Sequence, residues 1–97
     1  MSAKDFFRAD LRWSNFFEAD LSGADLRGAD LRRTYLMDAN LNKTRLLGAD
    51  LSDACLIDAN IRGADLRAAD LRDARWDDET KWPEGIGPIP PLQPTMI

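Results

Sequence analysis

The chain has no histidine and a single cysteine, Cys55. Without histidine there is no imidazole for a metal site and no histidine for acid–base catalysis. One cysteine cannot form an internal disulfide or supply a zinc site alone, and it is typical of a reducing compartment. As a nucleophile, Cys55 has no histidine base to activate it. We therefore predict that the protein is not an enzyme and that it uses no cofactor and no metal.

Long apolar runs are missing as well. No stretch of eighteen apolar residues occurs, and residues 1–10 lack the apolar region of a signal peptide, so we expect a cytoplasmic protein. The formal net charge is only −4. This mild acidity argues against direct binding to nucleic acid or to anionic membranes, both of which need a clustered basic surface.

Large apolar residues recur at every fifth position of most of the chain. A small residue (Ala, Ser or Thr) stands two positions before each centre from residue 9 to residue 74, and Asp or Asn stands between them in most pentads. Self-similarity of this kind indicates a repeat architecture. The fifteen centres are Phe6, Leu11, Phe16, Leu21, Leu26, Leu31, Leu36, Leu41, Leu46, Leu51, Leu56, Ile61, Leu66, Leu71 and Trp76.

A period of five fits neither of the common regular structures. In an α-helix the centres would spiral around the axis, and in a flat strand they would alternate between the two faces. A short extended piece followed by a corner of about 90° brings every centre to a common axis, with about twenty residues in each coil. Gly23, Gly28, Gly48 and Gly63 stand two residues after a centre, where a type II turn requires positive φ. The sequence thus predicts a four-sided parallel β-solenoid.

The repeated motif also resembles that of a known family. Ala24-Asp25-Leu26-Arg27-Gly28 and Ala49-Asp50-Leu51-Ser52-Asp53 look like the tandem motif of the pentapeptide-repeat family, and the resemblance covers roughly residues 4–78. The segment 78–85 is similar to the tails of short members of cyanobacterial type. The resemblance implies an all-β fold, a right-handed quadrilateral parallel β-helix, here of just under four coils. It implies little about function, although some longer members resemble DNA in shape and charge and engage DNA gyrase.

The ends of the predicted solenoid differ from its middle. We predict a repeat domain over 4–78 and a proline-rich tail over 79–97, because all five prolines follow residue 82. Segment 82–92 is predicted to pack on the solenoid or on a second copy. Larger side chains suit coils that no further coil covers, and we predict four end caps: Phe6, Phe16, Trp76 and Trp82.

Residues twenty apart are predicted to stack on one side of the solenoid. The side centred on Leu11 carries a column of Asp beside a column mostly of Arg, which indicates a solvated face of mixed charge. The side centred on Phe16 differs, because its flanking positions carry apolar residues and an acidic edge follows them. We predict an outward interaction stripe of Phe17, Tyr35, Met37, Cys55 and Ile57.

Bulky apolar residues stacked on one face usually mark a contact. Three occupants of the stripe are open: the tail, a second copy in a homodimer, or another protein. We predict a non-catalytic interaction module of unspecified role, with no small-molecule substrate. The alternative is a DNA-mimicking regulator of gyrase or topoisomerase, for which the predicted rod is short and its acids are largely offset by arginines.

Overall fold

Single bridging residues, spaced five apart, build the fold. The computed structural model describes residues 4–84, and this range contains no helix and no strand longer than one bridging residue. Each bridging residue pairs in parallel with the residue twenty positions later, as in Asp5 with Asp25, up to the pair of Cys55 with Arg75. The chain therefore returns above itself every twenty residues, which is the stacking distance inferred from the sequence.

A tight turn separates each bridging residue from the next. From Phe6 to Leu71, the carbonyl oxygen of each centre accepts a hydrogen bond from the backbone N–H three residues later, as Phe6 does from Ala9 at 2.9 Å. The residue two after the centre has positive φ, as in a type II turn. Glycine fills this position at Gly23, Gly28, Gly48 and Gly63, as predicted, but ten other residues adopt the same conformation. They are Arg8, Trp13, Glu18, Arg33, Asp38, Lys43, Asp53, Asp58, Ala68 and Asp73.

The Asp or Asn of the motif fixes the corner that follows it. In each case the side-chain oxygen accepts a hydrogen bond from the backbone N–H two residues later, as Asp5 Oδ1 does from Phe7 at 3.1 Å. This is an Asx-type turn contact, which Asp and Asn make better than any other residue. Eleven bridging residues make it: Asp5, Asp10, Asn15, Asp20, Asp25, Asp30, Asn40, Asp50, Asn60, Asp65 and Asp70.

The centres fill the interior of the solenoid. Those from Leu21 to Ile61 are at most 2% exposed, and the small residues from Ala24 to Ala59 are at most 1% exposed. Burial of each Leu contributes about 1.5–3 kcal/mol. Two of the small residues are Thr34 and Thr44, whose hydroxyls donate to the carbonyl oxygens of Leu31 and Leu41 at 2.8 and 2.9 Å. The buried hydroxyls are therefore satisfied without disturbing the stack.

The last coil contains one extra residue. Asn60 pairs with Lys81, a step of twenty-one, and Thr80 takes the buried place of the small residue. The Thr80 hydroxyl donates to the carbonyl oxygen of Leu56 at 2.8 Å and accepts from the N–H of Asp77 at 3.1 Å. The coil backbone consequently continues past residue 78, where the repeat ends in the sequence.

Aromatic side chains lie at both ends of the described core. Phe6 and Phe16 are half-buried against it in the first coil. At the other end Trp76 is buried and Trp82 half-buried, with ring centroids 5.8 Å apart in an edge-to-face arrangement. Of the predicted tail, the part from residue 85 lies outside the described residues, so its packing stays a prediction.

Candidate protein-interaction surface

One side of the solenoid departs from the charged pattern of the others. We call it the aromatic face and define it as residues 13–18, 33–38, 53–58 and 73–79. Phe17 is 50% exposed there, and Met37 and Ile57 are half-buried. Backbone hydrogen bonds from Glu18 to Met37 and from Asp38 to Ile57 hold the three coils in register. Phe17, Met37 and Ile57 thus form one stripe along the rod, with Tyr35 exposed beside it.

Cys55 lies in the predicted position but not on the surface. It bridges Tyr35 on one side and Arg75 on the other, and only 3% of it is exposed. Its short side chain stands between two longer ones in adjacent coils. The thiol therefore adds nothing to a contact surface, in contrast to the outward position that the sequence predicts.

Trp13 is exposed at this surface but is not among the site residues predicted from the sequence. Its side chain is 62% exposed, and its φ is +67°, a conformation that bulky residues rarely adopt. It stands at the corner that precedes this side, in one column with Arg33, Asp53 and Asp73. Stepping by twenty along that corner column, and not only along the column that follows the side, would have revealed it. A shallow depression of about 370 Å³ is lined by Trp13, Arg33, Tyr35, Asp53, Asp73 and Arg75.

An acidic edge borders the stripe. Glu18, Asp38 and Asp58 occupy the corner positions of successive coils. In the last coil, where one extra residue shifts the turn, Asp77 Oδ1 accepts a hydrogen bond from the N–H of Asp58 at 3.3 Å, and Glu79 lies close by. The pKa of Asp58 is raised, first by desolvation and then by the neighbouring charges of Asp77, Asp38 and Glu79; Lys81 opposes this shift only weakly. The carboxylates of this edge therefore repel one another.

Five carboxylates on the other sides of the rod are paired with an arginine of their own pentad. Arg12 donates from Nε and Nη2 to the two oxygens of Asp10 at 2.9 and 2.8 Å, a bidentate geometry that strengthens an ion pair. The hydrogen bonds from Arg12 are the main cause of the fall in the Asp10 pKa to about 2. The other four bidentate pairs are Asp25–Arg27, Asp30–Arg32, Asp65–Arg67 and Asp70–Arg72.

These pairs also connect neighbouring coils. Arg12 Nε lies 3.7 Å from Asp30 Oδ2, and Arg32 Nε lies 3.7 Å from Asp50 Oδ2. The arginine column thus offsets the repulsion within the stacked Asp column. This agrees with the mixed-charge face that the sequence predicts for the side centred on Leu11.

Negative charge is therefore concentrated on the aromatic face. Its residues include eight carboxylates and two arginines, a formal charge of −6, whereas the other eleven Lys and Arg and nine Asp and Glu of the chain give +2. The overall charge of −4 conceals this asymmetry. On the opposite side the exposed Phe7 has arginines above it, with the guanidinium carbon of Arg27 5.1 Å from its ring centroid.

Residues 4–84 contain no group of three or more His, Cys, Asp or Glu side chains arranged to hold a metal ion. Among them there is also no helix of sufficient length and apolarity to cross a membrane.

Comparison with known proteins identifies the repeat. The family model of pentapeptide repeats matches residues 5–33 and 34–73, in eight copies. Among solved structures, alr5209, a pentapeptide repeat protein from Nostoc Pcc 7120, is 40% identical with a TM-score of 0.63, and the match covers 84% of this chain and 76% of that one. No protein of curated function matches the chain significantly in sequence.

Two further structures set the limits of the likeness. AT2G44920, a pentapeptide repeat protein from the Arabidopsis thaliana thylakoid lumen, is 30% identical with a TM-score of 0.62; the match covers 78% of this chain but only 49% of that one. QnrB1, a plasmid-mediated fluoroquinolone resistance protein, is 15% identical with a TM-score of 0.27 over 79% of this chain and 60% of that one, which supports no inference. The chain belongs to the pentapeptide repeat family, whose members fold as a right-handed quadrilateral β-helix.

Proposed function

We propose that this chain is a non-catalytic protein-interaction module that binds its partner through the aromatic face. Pentapeptide repeat proteins are non-catalytic repeat modules, and the proposal adds the location of the binding surface. The observation that carries it is the loss of the corner-fixing Asp or Asn on this face. Four of the fifteen bridging positions from 5 to 75 lack it, and Tyr35, Cys55 and Arg75 are three of these four.

The departures from the motif on the aromatic face lower the stability of the corners there. Each replaced Asp or Asn forgoes a hydrogen bond to the corner, worth about 0.5–1.5 kcal/mol. Trp13 adds a left-handed conformation that costs about 1–2 kcal/mol for a residue with a Cβ. Aromatic side chains displayed at such a cost suit binding, because Trp and Tyr are enriched among residues that dominate interface energies.

The stripe has three candidate occupants. Segment 82–92 of the tail and a second copy of the chain are two of them, and a different protein is the third. The charge of −6 on the aromatic face favours the third. Two copies meeting there would place twelve excess negative charges in one interface, and segment 82–92 contains no Lys or Arg to offset the charge.

A DNA-mimicking regulator of gyrase is the less favoured alternative. Such a mimic needs uncompensated negative charge all around the rod, whereas the residues outside the aromatic face carry a formal charge of +2 and five Asp residues there are bound bidentately by Arg. Gyrase supercoiling that does not respond to excess protein is the result we expect. A cytoplasmic location also stays a prediction, which cell fractionation tests.

The proposal is tested by placing charge on the stripe. The variant Met37→Asp/Ile57→Asp should keep its fold, since both residues occupy turn positions that are polar in other pentads, but should lose its partner in a pull-down from native lysate. The control is Ser22→Asp/Asn42→Asp, which adds the same charge at equivalent positions on the adjacent side. Equal capture by both variants would contradict the proposal. Measurement of molecular mass in solution shows whether the partner is a second copy.

A further inference from the structure

We propose that the occupant of the aromatic face is a basic amphipathic helix of another protein, lying along the rod. The proposal rests on the function proposed above and specifies the partner. It combines three observations: an apolar stripe, an unneutralised acidic edge beside it, and the spacing of the coils.

The stripe and the edge run in parallel, one residue apart. Phe17, Met37 and Ile57 precede Glu18, Asp38 and Asp58 in their respective coils. A ligand that covers the stripe must therefore present apolar side chains in one row and positive charge in the row beside it. The edge is available for pairing, because no side-chain hydrogen bond or ion pair joins Asp38 or Asp58 to a Lys or Arg among residues 4–84.

The distance between adjacent coils determines which secondary structure of the ligand fits the stripe. Adjacent coils lie about 4.8 Å apart, the separation of hydrogen-bonded strands. An α-helix rises about 5.4 Å per turn, so a helix along the rod brings roughly one side chain to each coil. An extended segment presents same-side residues every ~6.6–6.8 Å. Its side chains would therefore no longer lie over successive coils by the third coil of the stripe. The helix thus matches the stripe better than a strand does.

Charge favours another protein over a second copy. If two aromatic faces met with their rods antiparallel, each acidic edge would lie against the other. If the rods were parallel, Asp38 of one copy would face Arg33 of the other, but Asp58 would face Asp53 at the same height along the rod. A partner rich in Lys or Arg removes this repulsion and gains favourable contacts with the edge.

The experiment uses an amphipathic peptide of Leu and Lys at helical spacing as the probe, with a Leu/Glu peptide of the same pattern for comparison. Fluorescence anisotropy of the labelled peptide gives the dissociation constant for the whole chain. Three variants are compared: Asp38→Asn/Asp58→Asn on the edge, Met37→Ser/Ile57→Ser on the stripe, and Asp5→Asn/Asp20→Asn on other sides. The last removes the same charge as the first, and Asn already fills such positions at Asn40 and Asn60.

We expect the edge and stripe variants each to weaken binding of the Leu/Lys peptide by about tenfold, and the charge-matched control by less than about twofold. The Leu/Glu peptide should not bind. Equal weakening by the edge variant and its control would overturn the inference, since it would indicate general charge attraction. So would the absence of binding to the unaltered chain. In the lysate pull-down, a partner that is lost with the Met37→Asp/Ile57→Asp variant but is still captured by the edge variant would leave the proposed function intact. It would reject only the proposal that the partner contributes a basic helix.

Discussion

The guanidinium carbon of Arg33 lies 5.0 Å from the ring centroid of Trp13, one coil away along the same corner column. This distance is within the range of a cation–π contact. Arg33 Nε also lies 4.0 Å from Asp53 Oδ2, so the arginine is held from the next coil. The contact orients the indole but covers little of it, because Trp13 remains 62% exposed.

Replacing Trp13 should separate binding from stability. In Trp13→Gly, relief of the left-handed conformation offsets the lost cation–π contact, so the free energy of unfolding should change by less than about 1 kcal/mol. Binding of the Leu/Lys peptide should weaken. Urea denaturation and anisotropy measure the two effects. A loss of stability near the ~3–5 kcal/mol typical of a buried Trp would contradict the description of Trp13 as a surface residue.

The corner conformation can be tested at two stacked positions. A Cβ added at Gly48 meets no atom within 4 Å, so Gly48→Ala reports the cost of positive φ alone. Ala68 stands one coil above, with φ +60°. We expect Gly48→Ala to lower the free energy of unfolding by about 1 kcal/mol and Ala68→Gly to raise it by a similar or smaller amount. Shifts of the same sign in both variants would refute this explanation of the corners.

The core should respond to truncation according to depth. Leu36 is fully buried in the second coil, and Leu36→Ala should cost about 2–5 kcal/mol. Leu11 is half-buried in the first coil, and Leu11→Ala should cost clearly less. Thermal and urea denaturation of the two variants provide the comparison. Equal losses would mean that the first coil is covered as well as the second.

Removing the charge of an Arg-paired Asp and removing the charge of an Asp on the acidic edge should have opposite effects on stability. The pKa of Asp25 is lowered to about 2, mainly by its hydrogen bonds from Arg27. Its contribution to stability is therefore present above the unfolded pKa near 4 and is lost as pH falls through about 2. The pKa of Asp58 is raised, so its ionisation opposes folding.

At pH 7 Asp25→Asn should consequently lower the melting temperature and Asp58→Asn should raise it. The benefit of Asp58→Asn should disappear on acidification below the raised pKa of Asp58, where the native residue is already neutral. Melting curves from neutral pH down to about pH 2, where the paired Asp residues titrate, check both signs. A stabilising Asp25→Asn would contradict the role of the bidentate pair.

Cys55 should be protected in the native state. Because 3% of the residue is exposed, a thiol reagent should modify it slowly in the folded protein and rapidly in denaturant. Tyr35→Ala should accelerate the native reaction, since Tyr35 bridges Cys55 from the neighbouring coil. Rapid modification of the unaltered native protein would show that the thiol is accessible after all.

The period of five was enough to predict the stacking and the corners. Every leucine centre must face one axis, so the number of residues per coil follows from the repeat itself. Gly23 and Gly28 indicate the positive φ at the corners. The register shift before Lys81 was not predictable, because Thr80 and Trp82 resemble the motif only once Asp77 is taken as an insertion.

The surface was less predictable than the fold. The stripe follows from the stacking of residues twenty apart. The exposure of Trp13 depends on the size of a side chain at a corner, and the burial of Cys55 depends on the longer side chains of Tyr35 and Arg75 on either side of it. The charge asymmetry depends on which Asp has an Arg two residues later. Asp10 has such a partner, while Asp58 has instead the charges of Asp38 and Asp77.

The most direct test of the central claim is to map the binding surface by NMR. Backbone amide shifts of the labelled protein are followed while the Leu/Lys peptide is added. We predict that the shifted amides cluster at residues 13–18, 33–38, 53–58 and 73–79. Shifts that instead cluster on the side of the Asp10 and Arg12 column, or spread evenly around the rod, would contradict the assignment of the aromatic face as the binding surface.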